Sequence, residues 1–322
     1  MHKLANIYLW PYPPLWIAVV LVGVIDTIWI LATPLRFDPS GLALILGPAT
    51  GLLIFAIGGR HIFPEKLRHL ALGTAFVLFA WPALRVFNHL VMTLPFPLTD
   101  AWLVQGDHDL GLHWRAYLFW VDAHPWLVNV MSFTYRSLTI FSCLAVALLI
   151  VFGNGRAAHD FLVLFIASAV IASAAGCLFP AETAMAYYAP VEHMLKHIIP
   201  DYGAGFAPYL QEIRTNPHHL LRAASLPGLT AFPSFHTAMG VIMIYCARTR
   251  RWFLAAAIAF NSIMIAATPV LGGHYFVDVI AGAGLAAVLI VCLRLMQGES
   301  MPFPLRNKAA PLAGEAKPAA LA

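Results

Sequence analysis

The chain has 322 residues, of which 61% are hydrophobic and only 11% charged, with a formal net charge of +4. Soluble domains carry about 25% charged residues, so this composition excludes an ordinary water-soluble globule and points to an integral membrane protein. The small positive charge is spread over loops without a basic stripe, which excludes a nucleic-acid partner.

No charged n-region followed by a short apolar stretch and a small-residue cleavage site opens the chain, so no removable signal peptide is expected. A bilayer crossing needs about 20 predominantly apolar residues. Runs of that kind predict spans at Leu15–Ala32, Gly41–Gly58, Leu70–Leu94, Leu127–Phe152, Phe161–Phe179, Phe235–Ala247, Trp252–Leu271 and His274–Met296. The sixth is short, as expected if Leu229–Ser234 enters the membrane at a buried site. The predicted fold is all-α, a polytopic membrane bundle of about eight transmembrane helices with a six-helix catalytic core. Residues 1–66 form two extra N-terminal helices, 67–298 the catalytic membrane domain and 299–322 a disordered cytoplasmic tail rich in Ala, Pro and Lys.

Between the spans, Pro11–Trp16 and Phe96–Trp102 have the aromatic content of interfacial anchors. Leu110–Val121, which carries Arg115, suits a short helix lying flat on the outer surface. Phe179–Thr230 is a long polar excursion rich in His, Pro and Tyr, placed to cover a site at His236. Cys143, Cys177, Cys246 and Cys292 stand singly in apolar runs; they read as membrane-core filler, because a disulfide framework or zinc site would cluster them.

Lys and Arg in short loops set orientation. Lys3, Arg60, Lys66, Arg68, Arg156, Arg248, Arg250, Arg251, Arg306 and Lys308 fall on one side, which is predicted to be cytoplasmic. Arg36, Arg115, Lys196, Arg214 and Arg222 fall on the other, diluted by acidic residues. His236 and His274 then lie at the outer, periplasmic or lumenal, face of a membrane that is expected to be the bacterial inner membrane.

Chemistry concentrates between Ala231 and Asp278. His236 follows Phe-Pro-Ser-Phe, where Pro233 and Ser234 supply helix-start chemistry. His274 follows Gly272–Gly273 and precedes Asp278 by four residues, a spacing that predicts imidazole and carboxylate on one helix face. The two apolar runs between the histidines cross a bilayer and return, so both sites should meet at one face. Main-chain N–H groups near Ser234 and Gly272–Gly273 can hold phosphate oxygens. Arg214 and then Arg222 are the expected phosphate cations, since both precede His236 on the outer loop and a guanidinium grips phosphate bidentately. Arg85, Arg136 and Asp26 sit within spans and need partners there; they read as structural. Two other readings stand beside this one. His236, His274 and Asp278 could form a metal-binding facial triad; His193 and His197 add an i, i+4 pair, but Met194 occupies the place of a zincin glutamate. Buried charges could also serve a transporter or channel, which would be expected to show related halves and interrupted helices near the midplane.

The segments FPSFHTA and GGHYFVDVIAG resemble motifs two and three of the type 2 phosphatidic acid phosphatase superfamily, over roughly Asp100 to Leu293. The branch they resemble contains the inositol phosphorylceramide synthases and their bacterial relatives; Asp109-Leu110-Gly111 and Arg214 are similar to features of that branch. The resemblance implies a phosphohistidine mechanism with His274 as nucleophile, Asp278 as its orienting partner and His236 as acid and base. It implies a lipid phosphoester substrate in the membrane, water or a lipid hydroxyl as acceptor, and no cofactor or metal. Thr268 stands where the superfamily usually has an Arg, six residues before the nucleophilic histidine, and the usual first motif is absent; the synthase-like branch shares the missing Arg.

The sidedness has a direct check. In a cysteine-free background, a membrane-impermeant thiol reagent should label cysteines placed beside Arg214 in intact cells and spare those beside Arg250. The reverse pattern would invert the topology.

Overall fold

The computed structural model describes residues 13–152, 155–189, 194–199 and 206–298. Lys3, Pro11, His193 and the predicted tail at 299–322, with Arg306 and Lys308, lie outside the described residues.

The described chain is a helix bundle: α1 (Pro13–Ala32), α2 (Leu42–Gly58), α3 (Glu65–Met92), α4 (Asp100–Asp109), α5 (Trp114–Asp122), α6 (Pro125–Arg136), α7 (Leu138–Phe152), α8 (Gly155–Leu178), α9 (Ala184–Tyr187), α10 (Phe206–Thr215), α11 (Phe235–Ala247), α12 (Arg251–Leu271) and α13 (Phe276–Met296). Six helical runs are long and apolar enough to cross a membrane, in α1, α2, α3, α8, α12 and α13. A seventh crossing arises if α6 and α7 count as one span bent by 66°. With 13 residues, α11 is short: at about 1.5 Å per residue it reaches about 20 Å, less than the ~30 Å hydrocarbon thickness.

Burial orders the bundle. Only 17% of the apolar window of α1 or α2 is buried inside the protein, against 56% for α8 and 50% for α3. The first two helices are therefore peripheral, and the main core gathers Phe76, Leu162, Phe165, Ala238, Met239 and Ile242 from α3, α8 and α11. Their outward faces carry exposed Ile17, Leu31, Leu44 and Ile54, as expected where lipid rather than water is the neighbour.

The α11–α12 hairpin sends the chain away from His236 and back to His274. Its turn at Arg248–Arg250 therefore lies at the far end of the bundle from both histidines. That end is laced by basic side chains: Lys66 Nζ donates to Val151 O at 3.0 Å, Arg250 Nε to Phe152 O at 3.2 Å, and Arg156 Nη2 to Gln297 Oε1 at 2.9 Å. At the histidine end a two-stranded parallel sheet joins β1 (Arg36–Asp38) to β2 (Leu220–Arg222), with Arg36 opposite Leu220 and Asp38 opposite Arg222. The sheet fastens the α1–α2 connection to the segment that precedes His236.

Two elements depart from the sequence expectation. The run Leu127–Phe152 is broken between Arg136 and Ile140. A guanidinium at membrane depth is costly, and at the bend Arg136 is exposed and borders a cavity. The last helix begins at Phe276, so His274 precedes it rather than lying on its face.

Close approach of α13 to the start of α11 rests on Gly282. A β-carbon there would come within 2.3 Å of Ser234 O and 3.1 Å of Thr237 Cβ, whereas one on Gly284 would meet nothing within 4 Å. Gly282→Ala should thus destabilise the detergent-solubilised protein by about 1–3 kcal/mol, as overpacking does. Gly284→Ala should be neutral or mildly stabilising, since Ala is the better helix former; thermal unfolding of the matched pair decides the point.

Candidate active site

The site is assembled by helix starts. The Phe232–Pro233 peptide is cis, and Ser234 is the N-cap of α11, its hydroxyl accepting from Thr237 N at 3.4 Å. Ser234 N in turn donates to Asp278 O at 3.0 Å. On the opposing side α12 ends at Leu271 and the chain turns through Gly272 and Gly273. Gly273 has φ 66°, a left-handed conformation that side chains rarely adopt, and a β-carbon on Gly272 would lie 2.4 Å from the Tyr135 hydroxyl.

His274 and Asp278 meet as the spacing predicted, but through a helix cap rather than a shared helical face. Asp278 is the third residue of α13; its Oδ2 accepts from Tyr275 N at 2.9 Å and lies 3.3 Å from His274 Nδ1. A carboxylate reaching back to the N-cap N–H satisfies one of the orphan donors of a helix start. The same oxygen orients the imidazole, and with a proton on Nδ1 the Nε2 lone pair is left for chemistry. Asp278 is fully buried and His274 is 5% exposed. The ring of His236 stands 6.4 Å from that of His274, centroid to centroid, at 62°.

Three more carboxylates hold the surroundings. Asp107 accepts Phe276 N at 3.0 Å and Val277 N at 2.8 Å, capping α13 from a neighbouring helix. Asp100 accepts the Tyr275 hydroxyl at 2.8 Å and Glu182 N at 3.0 Å. Burial pushes the carboxyls of both Asp107 and Asp100 up, and the donors pull them part of the way back. Burial also works against ionised Asp122, yet N–H groups of Lys196, Ile198 and His197 prevail and hold it below the usual carboxylate range. The amphipathic α5 that carries Asp122 docks on the end of α12, where Trp114 Nε1 donates to Pro269 O at 3.0 Å.

His236, His274 and Gly272 open into a cavity of about 380 Å³. Its polar lining includes Arg85, Arg136, Asn88, Tyr135 and Thr183; Trp81, Leu84, Phe165 and Ala172 form an apolar wall. Ser234 and Gly273 lie behind this lining, both buried in the turns that carry the histidines. Arg214 and Arg222 are not among the lining residues. The guanidinium of Arg214 is spent on main-chain carbonyls, donating to Leu94 O at 3.2 Å and also to Phe96 O, and Arg222 is exposed on β2. Loop position alone could not tell an arginine that faces a cavity from one that pins a neighbouring turn. Asp109 accepts from Gln105 Nε2 at 2.7 Å on the surface. His197 Nδ1 lies 2.8 Å from Asp122 O, and among the described residues no three His, Cys, Asp or Glu side chains converge as metal ligands.

A family model described as the PAP2 superfamily matches residues 101–292, a stretch that runs from α4 through most of α13 and contains both histidine turns. The chain belongs to the PAP2 superfamily. No curated protein and no solved structure matches it. PAP2 membership points to phosphatase or phosphotransferase chemistry. In this PAP2 chain Thr268, which stands in for the usual Arg, is fully buried with its hydroxyl donating to Met264 O at 2.9 Å.

Sequence reasoning passed over Asp100 and Asp107. Their seven-residue separation is a signal that would have found them, because it places both on one face of α4, the face turned to Tyr275–Val277. The function of Asp107 is directly testable in the PAP2 fold. Asp107→Ala strips acceptors from two main-chain N–H groups and should destabilise the protein by about 1–3 kcal/mol, the cost of a buried unsatisfied donor. Asp109→Ala, at the exposed end of the same helix, should leave the unfolding temperature unchanged.

Proposed function

We propose that this protein cleaves or transfers a lipid phosphoester through a phosphohistidine formed on His274. The observation that carries the reading is one cavity onto which two helix-start histidines face, with the Nδ1 of His274 held by a buried carboxylate. His274 Nε2 attacks phosphorus as the bond to the leaving alkoxide breaks, and protonated His236 gives its proton to that oxygen. Neutral His236 then takes a proton from water or an acceptor hydroxyl. The oxygen attacks phosphorus, the P–N bond breaks, and His274 returns with its Nδ1–H still on Asp278. Positioned acid–base help of this kind is worth about 10² to 10⁴ in rate.

Arg85 and Arg136 take the cation role in place of Arg214 and Arg222, because both reach the cavity that holds the histidines. Arg85 lies over the Trp81 ring at 4.7 Å and donates to Leu226 O at 2.9 Å, which fixes its guanidinium at the cavity wall. Main-chain N–H groups at Ser234 and Gly272–Gly273 belong to the same reading as helix-start support for the phosphoryl group. The apolar wall suits the hydrocarbon next to a lipid headgroup. Thr268 in place of Arg favours the inositol phosphorylceramide synthase-like branch, and with it transfer to a lipid hydroxyl over simple hydrolysis. The basic end of the bundle favours an active site on the outer face of the membrane.

The decisive measurement is rapid-quench trapping of acid-labile phosphate from radiolabelled lipid phosphates, with and without lipid alcohols, followed by peptide mapping. Label should fall on His274; His274→Ala should lose both label and turnover. His236→Ala should lower turnover by about 10² to 10⁴ while the intermediate accumulates from an activated ester. Asp278→Asn should weaken both half-reactions, since the imidazole loses its orienting acceptor. Arg85→Lys and Arg136→Lys should each raise KM or lower kcat, whereas Arg214→Lys should keep near-normal turnover. Label on His236, or full activity in His274→Ala, would sink the mechanism.

A further inference from the structure

We infer that Tyr135 is the positioning residue for His236, its ring fixing the imidazole plane. The inference rests on the reading of His236 as the proton-transfer group. Tyr135 is the penultimate residue of α6, 3% exposed, at the bend that leads into α7. Its ring lies flat against His236, with centroids 4.4 Å apart and planes 10° from parallel. At that separation one face of the imidazole is covered, and the ring is approached through its edge, where both nitrogens lie. The other end of the same side chain reaches the turn before His274, because a β-carbon on Gly272 would stand 2.4 Å from the Tyr135 oxygen. Tyr135 thus touches both histidine-bearing turns.

The two histidines are oriented by different means. His274 has the carboxylate of Asp278 at 3.3 Å. Among the described residues no carboxylate stands against His236 in that way, and Tyr135 is the ring stacked parallel to it. An imidazole held only by its backbone attachment would sweep through rotamers; the stacked phenol restricts that sweep and keeps the edge turned to the cavity. A proton-transfer group needs this restraint because it must stay within hydrogen-bond reach of the oxygen it serves.

The test uses the full-length protein in mixed micelles with two probes. The first is p-nitrophenyl phosphate, whose leaving group needs no protonation; the second is dioleoyl phosphatidic acid, whose alkoxide does. Formation and decay of the phosphoenzyme are followed separately, and the formation amplitude counts folded sites. Tyr135→Ala should slow phosphoenzyme decay and lipid turnover by about tenfold or more, a fraction of the full acid–base contribution, with formation from p-nitrophenyl phosphate slowed far less. Tyr135→Phe keeps the stack and should restore decay to near the native rate. In a His236→Ala background Tyr135→Ala should add no further slowing. Equal slowing by Tyr135→Ala with and without His236, or loss of formation in step with decay, would assign Tyr135 a general structural role and overturn the proposal. Phenylalanine as damaging as alanine would assign the effect to the hydroxyl and overturn it too. Native decay in His236→Ala alone would remove the underlying reading of His236, a result distinguishable from the others because Tyr135 is intact in it.

Discussion

Asp278 is the joint of this molecule. Its side-chain oxygen accepts from Tyr275 N and holds His274, while its main-chain oxygen accepts Ser234 N from the cap of α11. One residue therefore fixes the start of α13, the orientation of one histidine and the position of the turn that carries the other. Gly282 and Asp107 support that arrangement. Gly282 permits the approach, since even a methyl group would collide with Ser234 O, and Asp107 supplies the donors of the next two residues with acceptors. In the low dielectric of a membrane bundle such bonds are worth more than in water, and leaving any of them unmade costs correspondingly more.

Much of this was legible in the chain. The apolar runs located the long apolar helices to within a few residues, because a bilayer imposes a length that composition alone reveals. The polar residues at Ser234, His236, His274 and Asp278 stood out because polar side chains at membrane depth are expensive. Where the reading went astray, a local rule had been asked to settle a tertiary matter. Spacing of four says that two residues can share a helix face, yet the glycine pair and Tyr275 end up before the helix, and the same spacing serves a cap instead. The break after Arg136 was hidden because an apolar run reads alike whether straight or bent.

The arginines show the same limit from the other side. Arg85 and Arg136 looked structural because they interrupt spans, while Arg214 and Arg222 looked functional because they lie near His236 in sequence. In space the first pair borders the cavity, and Arg214 pins the chain leaving α3. Reading by loops ranks arginines by sequence neighbourhood, whereas helices carry Arg85 and Arg136 to the cavity lining.

The parallel pairing of β1 with β2 bears on how the protein is made. Arg36 meets Leu220 across more than half the length of the chain, and parallel strands so far apart in sequence are slow to find each other. During synthesis α1 and α2 are inserted long before β2 emerges, so the first connection waits as an unpaired edge until the cover over the cavity arrives. The cavity lining at Pro227 and Gly228, a few residues beyond β2, is thus positioned late, when β2 pairs with the waiting connection. That lining thereby depends on a connection that lies outside the family-matched region.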